Sequence, residues 1–370
     1  MRIEPIPTRP GLQVVQDDGT VRPIHPLWLR ERAEDPASLD PVNGQRLYDP
    51  SDLPADLAVR EVTPLTAQSW RVLFSDGARI DYVAARLLAE AAPDAGLPPR
   101  DPWSGDLAPL PIRAWPPGPE GMLPLVEPLL RLGFVILRGV PSEEGQVLAV
   151  ARRFGFPRDT NFGIMFDVRS VPQPIDLAYT GLPLDAHNDN PYRDPMPGVQ
   201  LLHCLVNRST GGYSTLVDGV TVAAAMRARD PEGYRLLCTV PVRFQYTDPA
   251  TALTDHAPMI ECSVTGEIVG IRFSPRLDYV PLLDEAELEA FYRARRRFDQ
   301  MLRAPEFAIR FLLQDGDCVM FDNRRLLHGR TGFDPQEGPR HLQGCYIDID
   351  GPRSLYRVLK RAPALEQAAE

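Results

Sequence analysis

A chain of 370 residues with 44% hydrophobic and 24% charged residues has the composition of a folded globular protein, long enough for two domains or one elaborated one. Its formal net charge of -10 argues against a nucleic-acid-binding surface, and the basic run Arg293 to Arg297, set among Glu285, Glu287 and Glu289, reads as a solvated helix face. The five cysteines are odd in number, scattered and mostly set in apolar runs, which fits free thiols in a reducing compartment rather than a disulfide framework or a CxxC metal site. No apolar run reaches the length of a membrane span and the first residues lack an apolar signal core, so a cytoplasmic protein without membrane contact is expected.

Residues 1–95 read as a small β-rich domain. Asp18-Gly19 and Asp76-Gly77 each separate two strand-like runs, the signature of tight hairpins, and Asp81 to Ala91 follows as a helix. Residues 96–119 are rich in Pro and Gly and read as a linker, with Trp103 and Trp115 pinning it down. Residues 120–370 form the second domain. An amphipathic helix from Met122, a buried strand after Gly133 and a helix capped by Ser142 come first. Short strands then dominate, around Val199 to Val206, Ser214 to Asp218, Glu267 to Phe273, Asp317 to Phe321 and Gln343 to Asp348, with helices at 221–237 and 284–303. Many short strands broken by Gly and Pro turns predict a mainly β fold with flanking helices, a double-stranded β-helix or jelly roll.

Within this pattern, Asp185-Ala-His187-Asn-Asp189-Asn-Pro191 stands out. On an extended segment, residues two apart project to the same side, so His187 and Asp189 can be neighbours on one metal. His328, where an apolar strand-like run ends in a polar turn, is the candidate third ligand. Two His and one carboxylate on one face, with the opposite positions open, is the arrangement of non-haem Fe(II) oxygenases. A His-x-Asp triplet also arises by chance, and a structural, hydrogen-bonded His is the blander alternative.

Further residues carry a family resemblance. Ala178-Tyr179-Thr180, His187-x-Asp189, Pro197-Gly-Val-Gln-Leu-Leu-His-Cys-Leu205, Thr210-Gly-Gly, Val217-Asp-Gly, Phe321-Asp-Asn-x-Arg-Leu-Leu-His328-Gly-Arg and Arg340-His-Leu-x-Gly-x-Tyr346 resemble the γ-butyrobetaine hydroxylase and trimethyllysine dioxygenase family, in the taurine-dioxygenase-like branch of the Fe(II)/2-oxoglutarate oxygenases. Trp28-Leu-Arg and Gly44-Gln-Arg-Leu resemble that family's small N-terminal domain, which usually holds zinc through cysteines. No cysteine lies between Trp28 and Gly44 here, so a hydrophobic core in place of zinc is expected.

The resemblance implies an enzyme, a 2-oxoglutarate-dependent hydroxylase using Fe(II), 2-oxoglutarate and O2, with His187, Asp189 and His328 as metal ligands and catalytic centre. It implies that Arg340 grips the distal carboxylate of 2-oxoglutarate, the guanidinium fork matching a carboxylate in a way Lys cannot, and that Ser214 lies beside it. It further implies that Phe162, Phe166, Tyr179 and Tyr346 box a trimethylammonium group, which offers no hydrogen bond and is best met by aromatic faces. At the family's two carboxylate-binding Asn positions this chain has Asp176 and, near the second, Ser274. With Arg272, Arg276, Asn188 and Asn190 available for an anionic tail, the expected substrate is 2-(trimethylammonio)ethylphosphonate, ahead of γ-butyrobetaine and then trimethyllysine. A sulfonate or amino-acid substrate, or a metal-free pseudoenzyme acting as a binding protein, are the competing readings. A homodimer is expected by analogy alone.

Overall fold

The computed structural model describes residues 1–91, 96–118, 121–169 and 181–367, the last six by backbone alone. It divides into two compact units, Met1–Gly96 and Leu97–Glu370. The first holds β1 (Arg2–Pro5), β2 (Leu12–Val15), β3 (Val21–Pro23), α1 (Pro26–Arg30), β4 (Val59–Thr66), β5 (Ser69–Phe74), β6 (Arg79–Val83) and α2 (Ala84–Ala91). Two three-stranded antiparallel sheets, β1-β2-β3 and β4-β5-β6, result. The hairpin turns form as their sequences dictate: Asp18 and Asp76 each accept from the amide two residues on, Thr20 and Ala78. Asp81, expected in a helix, is instead in a strand, because Ile80 and Tyr82 alternate into the core while Asp81 pairs with Arg71 outside. The core of this unit includes Leu12, Leu29, Trp70, Val72 and Phe74. Between Trp28 and Gly44 the chain is held by arginines: Arg32 lies 3.9 Å from the Trp28 ring, and Arg30 reaches Ser38 and Asp76.

The second unit contains, in order, β7 (Ile112–Ala114), α3 (Leu123–Leu132), β8 (Phe134–Arg138), α4 (Gln146–Phe154), β9 (Phe166–Arg169), β10 (Leu184–His187), β11 (Val199–Asn207), β12 (Ser214–Asp218), α5 (Gly219–Arg229) and α6 (Pro231–Thr239). There follow β13 (Val242–Thr247), β14 (Ala252–Ala257), β15 (Ile260–Cys262), β16 (Ile268–Ile271), β17 (Asp278–Tyr279), α7 (Glu285–Arg303), β18 (Ala308–Phe311), β19 (Asp317–Asp322), β20 (Leu326–Arg330), β21 (Arg340–Ile347) and α8 (Asp350–Gln367). A six-stranded sheet runs β7-β8-β19-β11-β21-β9 and a four-stranded sheet runs β10-β20-β12-β18. Phe134, Ile136, Val319 and Phe321 of the larger sheet share one core with Leu216, Ile309 and Leu326 of the smaller, so the sheets pack face to face. The alternate residues Val135, Leu137, Cys318 and Met320 face the other way, onto a second core with Leu125 and Leu129 of α3 and Val147 and Val150 of α4. Being covered on both faces is why β8 reads as an unbroken apolar run.

Three local expectations change. The helix expected across 221–237 is two helices, because Pro231 cannot continue one and Asp230 caps the next by accepting from Gly233. The helix expected from Ser142 begins at Gln146, after Gly145 in a left-handed turn. Trp103 is buried and donates its indole N–H to the Leu132 carbonyl, and Ile112–Ala114 adds a parallel strand to β8, so these residues are built into the second unit.

A buried ion pair anchors β20, the strand that carries His328. The Arg325 guanidinium donates to both oxygens of Asp218, at 3.2 and 2.7 Å, and to the carbonyls of Arg131 and Asp101 at 2.6 Å each. Asp218 in turn accepts from the Val220 amide at 3.3 Å and from the Thr221 hydroxyl at 3.0 Å, at the start of α5. Arg325→Leu leaves Asp218 as an unpaired buried charge and should cost about 3–5 kcal/mol, read as a fall in unfolding free energy in a denaturant titration. A change below about 1 kcal/mol would mean that water replaces the guanidinium.

Candidate active site

The smaller sheet places two histidines opposite one another. β10 and β20 are antiparallel with His187 directly across from His328, and their rings are 4.4 Å apart, the separation that cross-strand neighbours on one face produce. Asp189 lies beyond the end of β10, so strand alternation alone does not aim it. Asn323 does: it accepts from the Asp189 amide and donates to the Asp189 carbonyl, each at 2.9 Å. The Asp189 Oδ1 then stands 3.3 Å from His187 Nε2 and 3.9 Å from His328 Nε2.

The other carboxylate oxygen is occupied. Asp189 Oδ2 accepts from Gln200 Nε2 at 2.8 Å and from the Tyr346 hydroxyl at 2.9 Å, leaving Oδ1 to face the imidazoles. Burial alone would raise the Asp189 pKa, but His328, His187 and the Tyr346 hydroxyl outweigh it, and the carboxyl lies well below its ordinary value. Burial, reinforced by His187, pushes His328 down to about 3. His187 Nδ1 donates to the Asp185 carbonyl at 2.8 Å, which turns Nε2 toward Asp189 Oδ1. An ionised carboxylate and neutral imidazole nitrogens are the forms that bind a metal. One ligand atom from each of the three residues fits within 4.8 Å of the others, a spacing and donor set suited to a single Fe(II).

These residues line a cavity of about 670 Å³ that also includes Arg340, Ser214, Arg330 and Leu342. Arg340 is buried and its pKa is lowered by that burial. Among the described residues it pairs with no carboxylate; one Nη donates to the Gly212 carbonyl and Nε has no partner. The approach is possible because Gly212 has φ +68° and no side chain: a Cβ there would lie 2.8 Å from Arg340 Nε. A buried, incompletely paired guanidinium in a cavity is a binding site for an anion. A larger opening of about 1050 Å³ in the first unit brings no such cluster together; its charged walls pair with each other, as in Arg71 with Asp81 and Arg86 with Glu34.

The taurine catabolism dioxygenase TauD, TfdA family model matches residues 113–346. The chain belongs to this family. It is an Fe(II)- and 2-oxoglutarate-dependent dioxygenase. A γ-butyrobetaine dioxygenase of Pseudomonas sp. (strain AK-1) is 38% identical over 361 residues, covering 95% of this chain and 94% of the relative. Dioxygenase str8 of Strobilurus tenacellus is 30% identical, covering 90% and 84%, and a trimethyllysine dioxygenase of Meyerozyma guilliermondii is 26% identical, covering 96% of each chain.

The dioxygenase's cavity has an aromatic wall. Phe166 stacks on Tyr346 with centroids 5.2 Å apart, and Gly344 makes room for it, since a Cβ there would lie 2.4 Å from the Phe166 ring. Phe162 meets Tyr246 edge-on at 5.5 Å, and Tyr246 stacks on Tyr192 at 5.1 Å. Tyr179 and Asp176 lie outside the described residues. Tyr246 and Tyr192 escaped the sequence reading. Tyr246 sits in a strand-like run that passes for ordinary core, and for Tyr192 only its closeness to Asp189 hinted at a role. Gln200 and Asn323 were missed too. A Gln inside the apolar run of β11 and an Asn in Phe321-Asp-Asn were the available signals, since a buried amide needs specific partners.

Two candidates for an anionic tail prove to be structural. Arg272 is buried and absorbed by Asp255, by Glu261 at 3.0 Å and by the Pro191 carbonyl. Asn188 is fully engaged: it donates to the carbonyls of Asn323 and Leu326 and accepts from the Phe273 amide, clamping the turn between His187 and Asp189. Asn190 accepts from the Tyr192 hydroxyl at 2.6 Å in a left-handed conformation, φ 53°. Ser274 and Arg276 line the cavity, as do Asn188 and Asn190, and the Asn190 Nδ2 has no partner among the described residues. The Ser274 hydroxyl is buried without a partner, and Arg276 is exposed with no ion pair among the described residues.

Proposed function

We propose that this dioxygenase hydroxylates an aliphatic carbon of a small trimethylammonium carboxylate, with γ-butyrobetaine as the preferred substrate and trimethyllysine as the alternative. The observation that carries this reading is the aromatic wall, Phe162, Tyr246 and Tyr192 together with Phe166 and Tyr346, in the same cavity as the His187, Asp189 and His328 cluster. Aromatic faces attract a quaternary ammonium that nothing can hydrogen-bond. The high identity to a γ-butyrobetaine dioxygenase along nearly the whole chain supports it. The preference for a phosphonate leaned on Arg272, whose charge is already met by Asp255 and Glu261. Without it, the donors left for an anionic tail are Ser274, Arg276 and the amide nitrogen of Asn190, enough for a singly charged carboxylate. The sandwich of a six- and a four-stranded sheet is read as the jelly roll of this oxygenase class.

In this reading His187 Nε2, Asp189 Oδ1 and His328 Nε2 hold Fe(II), and Arg340 with Ser214 receives the distal carboxylate of 2-oxoglutarate. Bound there with 2-oxoglutarate and O2, Fe(II) would supply the oxidising power for hydroxylating a C–H, with 2-oxoglutarate as the reductant converted to succinate and CO2. Gln200 and Tyr346 keep one carboxylate oxygen of Asp189 turned away from the metal. The aromatic wall excludes water and fixes the ammonium end, so that one carbon chain lies toward the cluster.

A screen of succinate release decides the substrate. γ-Butyrobetaine should give the highest kcat/KM, trimethyllysine less and the trimethylammonium phosphonate least; the phosphonate winning would overturn the carboxylate assignment. The wall has its own test. Phe166→Leu and Tyr246→Leu keep apolar bulk but remove the ring face, and should each weaken the trimethylammonium substrate by about 1–2 kcal/mol. A neutral tert-butyl analogue should lose much less. Equal losses for both ligands would make the wall merely apolar.

A further inference from the structure

Two of the five cysteines approach the surface together. Cys204, Cys318 and Cys345 are buried, whereas Cys262 is exposed and Cys238 half-buried. Cys238 stands in the last turn of α6 and Cys262 ends β15, with their sulfurs 3.7 Å apart. The Tyr234 hydroxyl, one turn before Cys238, lies 3.4 Å from the Cys262 sulfur, and Arg227 stands 5.8 Å from the Tyr234 ring. A disulfide has an S–S length of about 2 Å, so closure asks the sulfurs to approach by less than about 2 Å, within the reach of side-chain rotation.

Cys262 is wired to the active site. Its neighbour Glu261 accepts from Arg272 at 3.0 Å and from Arg324 at 2.8 Å. Arg272 donates to the Pro191 carbonyl at 3.0 Å, two residues beyond Asp189. β15 pairs with β16, Ile260 opposite Ile271, and the register is irregular between Glu261 and Cys262, so the Cys262 end of the ladder is where a pull would be absorbed or passed on. Beyond β16, Phe273 exchanges both backbone hydrogen bonds with Asn188, main chain and side chain.

We propose that Cys238 and Cys262 are a reversible disulfide-forming site whose closure is transmitted through Glu261 and Arg272 to the turn that carries Asp189. The oxidant is a small-molecule disulfide. The exposed Cys262 thiolate attacks it, forming a mixed disulfide and releasing one thiolate. Cys238 then gives up its proton to solvent and attacks the Cys262 sulfur, releasing the second thiolate. Two protein thiols are oxidised and one external disulfide is reduced to two thiols. The exposed Cys262 meets the external disulfide first; burial pushes Cys238 up to about 12, and its closeness to Cys262, 3.7 Å between sulfurs, offsets the small thiolate fraction in the intramolecular step. Cys204, Cys318 and Cys345 are buried, out of reach of an external disulfide, which keeps them out of the exchange.

The full chain is incubated with oxidised glutathione, its remaining thiols are blocked, and peptides are mapped without reduction. The expected product has one cross-link, Cys238 to Cys262, no retained glutathione, and full reversal by dithiothreitol. Cys238→Ser should trap glutathione on Cys262, and Cys262→Ser should take up none. Hydrogen exchange reads the coupling: amides in 188–192 and 259–273 should exchange at least threefold more slowly in the oxidised protein, with no response in Cys262→Ser. Glutathione persisting on Cys262 of the unmodified sequence overturns the proposal, as does a cross-link that leaves exchange in 188–192 unchanged.

Discussion

Asp189→Ala is expected to remove Fe(II)-dependent turnover while the chain stays folded. Loss of an outer partner of a metal ligand typically costs 10- to 100-fold in affinity or activity, so loss of the ligand itself should exceed roughly 100-fold in kcat/KM. Gln200→Leu supplies the graded comparison: it removes one of the two donors to Asp189 Oδ2 and should weaken Fe(II) binding by about 10- to 100-fold with the ligands intact. Asp189→Ala leaves Gln200 and Tyr346 without their acceptor, but both line a cavity of about 670 Å³, where water can take its place. The melting temperature should therefore fall by only a few degrees. Succinate release, iron retained per chain and a melting curve form one set of measurements. Near-normal turnover in Asp189→Ala would remove the carboxylate from the metal assignment.

The second large effect belongs to Arg340. Charge-assisted bidentate pairs are roughly twice as strong as neutral hydrogen bonds, about 1.5–3 kcal/mol each, so Arg340→Met should raise the KM for 2-oxoglutarate by roughly 10- to 100-fold. Arg340→Lys keeps the charge, loses the fork and should fall between. The KM for the trimethylammonium substrate should move little. Stability should move the other way. Arg340 is buried with Nε unpartnered among the described residues and its pKa lowered by burial, so without cosubstrate Arg340→Met should be as stable as the parent or more so. An unchanged KM for 2-oxoglutarate would transfer the role to Arg330, which lines the same cavity.

The parts of the site that were legible in the sequence depend on residue type and order. Two His and an Asp at the right places in a β-rich chain, Arg340 beyond them, and aromatics at 162, 166 and 346 all come to one cavity. The misreadings share a cause: a sequence shows that a polar group is present but not which partner already holds it. Arg272 looked available until Asp255 and Glu261, on β14 and β15, closed around it. Asn188, flanked by two ligands, looked like a third reagent and is a clamp. Tyr246 was hidden because Val242–Thr247 alternates like any half-buried strand. Asn323 was invisible as a support for Asp189 because the two are 134 positions apart in the chain. In the fold, the period-2 strands and β8's double burial could be read directly. The break at Asp230-Pro231 carried its own signal, a cap followed by a proline, which the apolar periodicity on both sides concealed.

Tyr346 joins two tasks in one side chain: its ring faces Phe166 in the aromatic wall and its hydroxyl fixes Asp189. This restricts how the protein can diverge. A substitution at 346 that suits a differently shaped substrate also loosens Asp189, so relatives with new specificities should retain a tyrosine there. Tyr246, in contrast, belongs to β13, a strand of the separate β14-β13-β17 sheet that supplies no member of the ligand cluster. Drift in substrate choice should therefore accumulate on that side of the cavity first, and libraries built to redirect this enzyme should randomise Tyr246 and its neighbours Gln245 and Thr247 while leaving Tyr346 fixed.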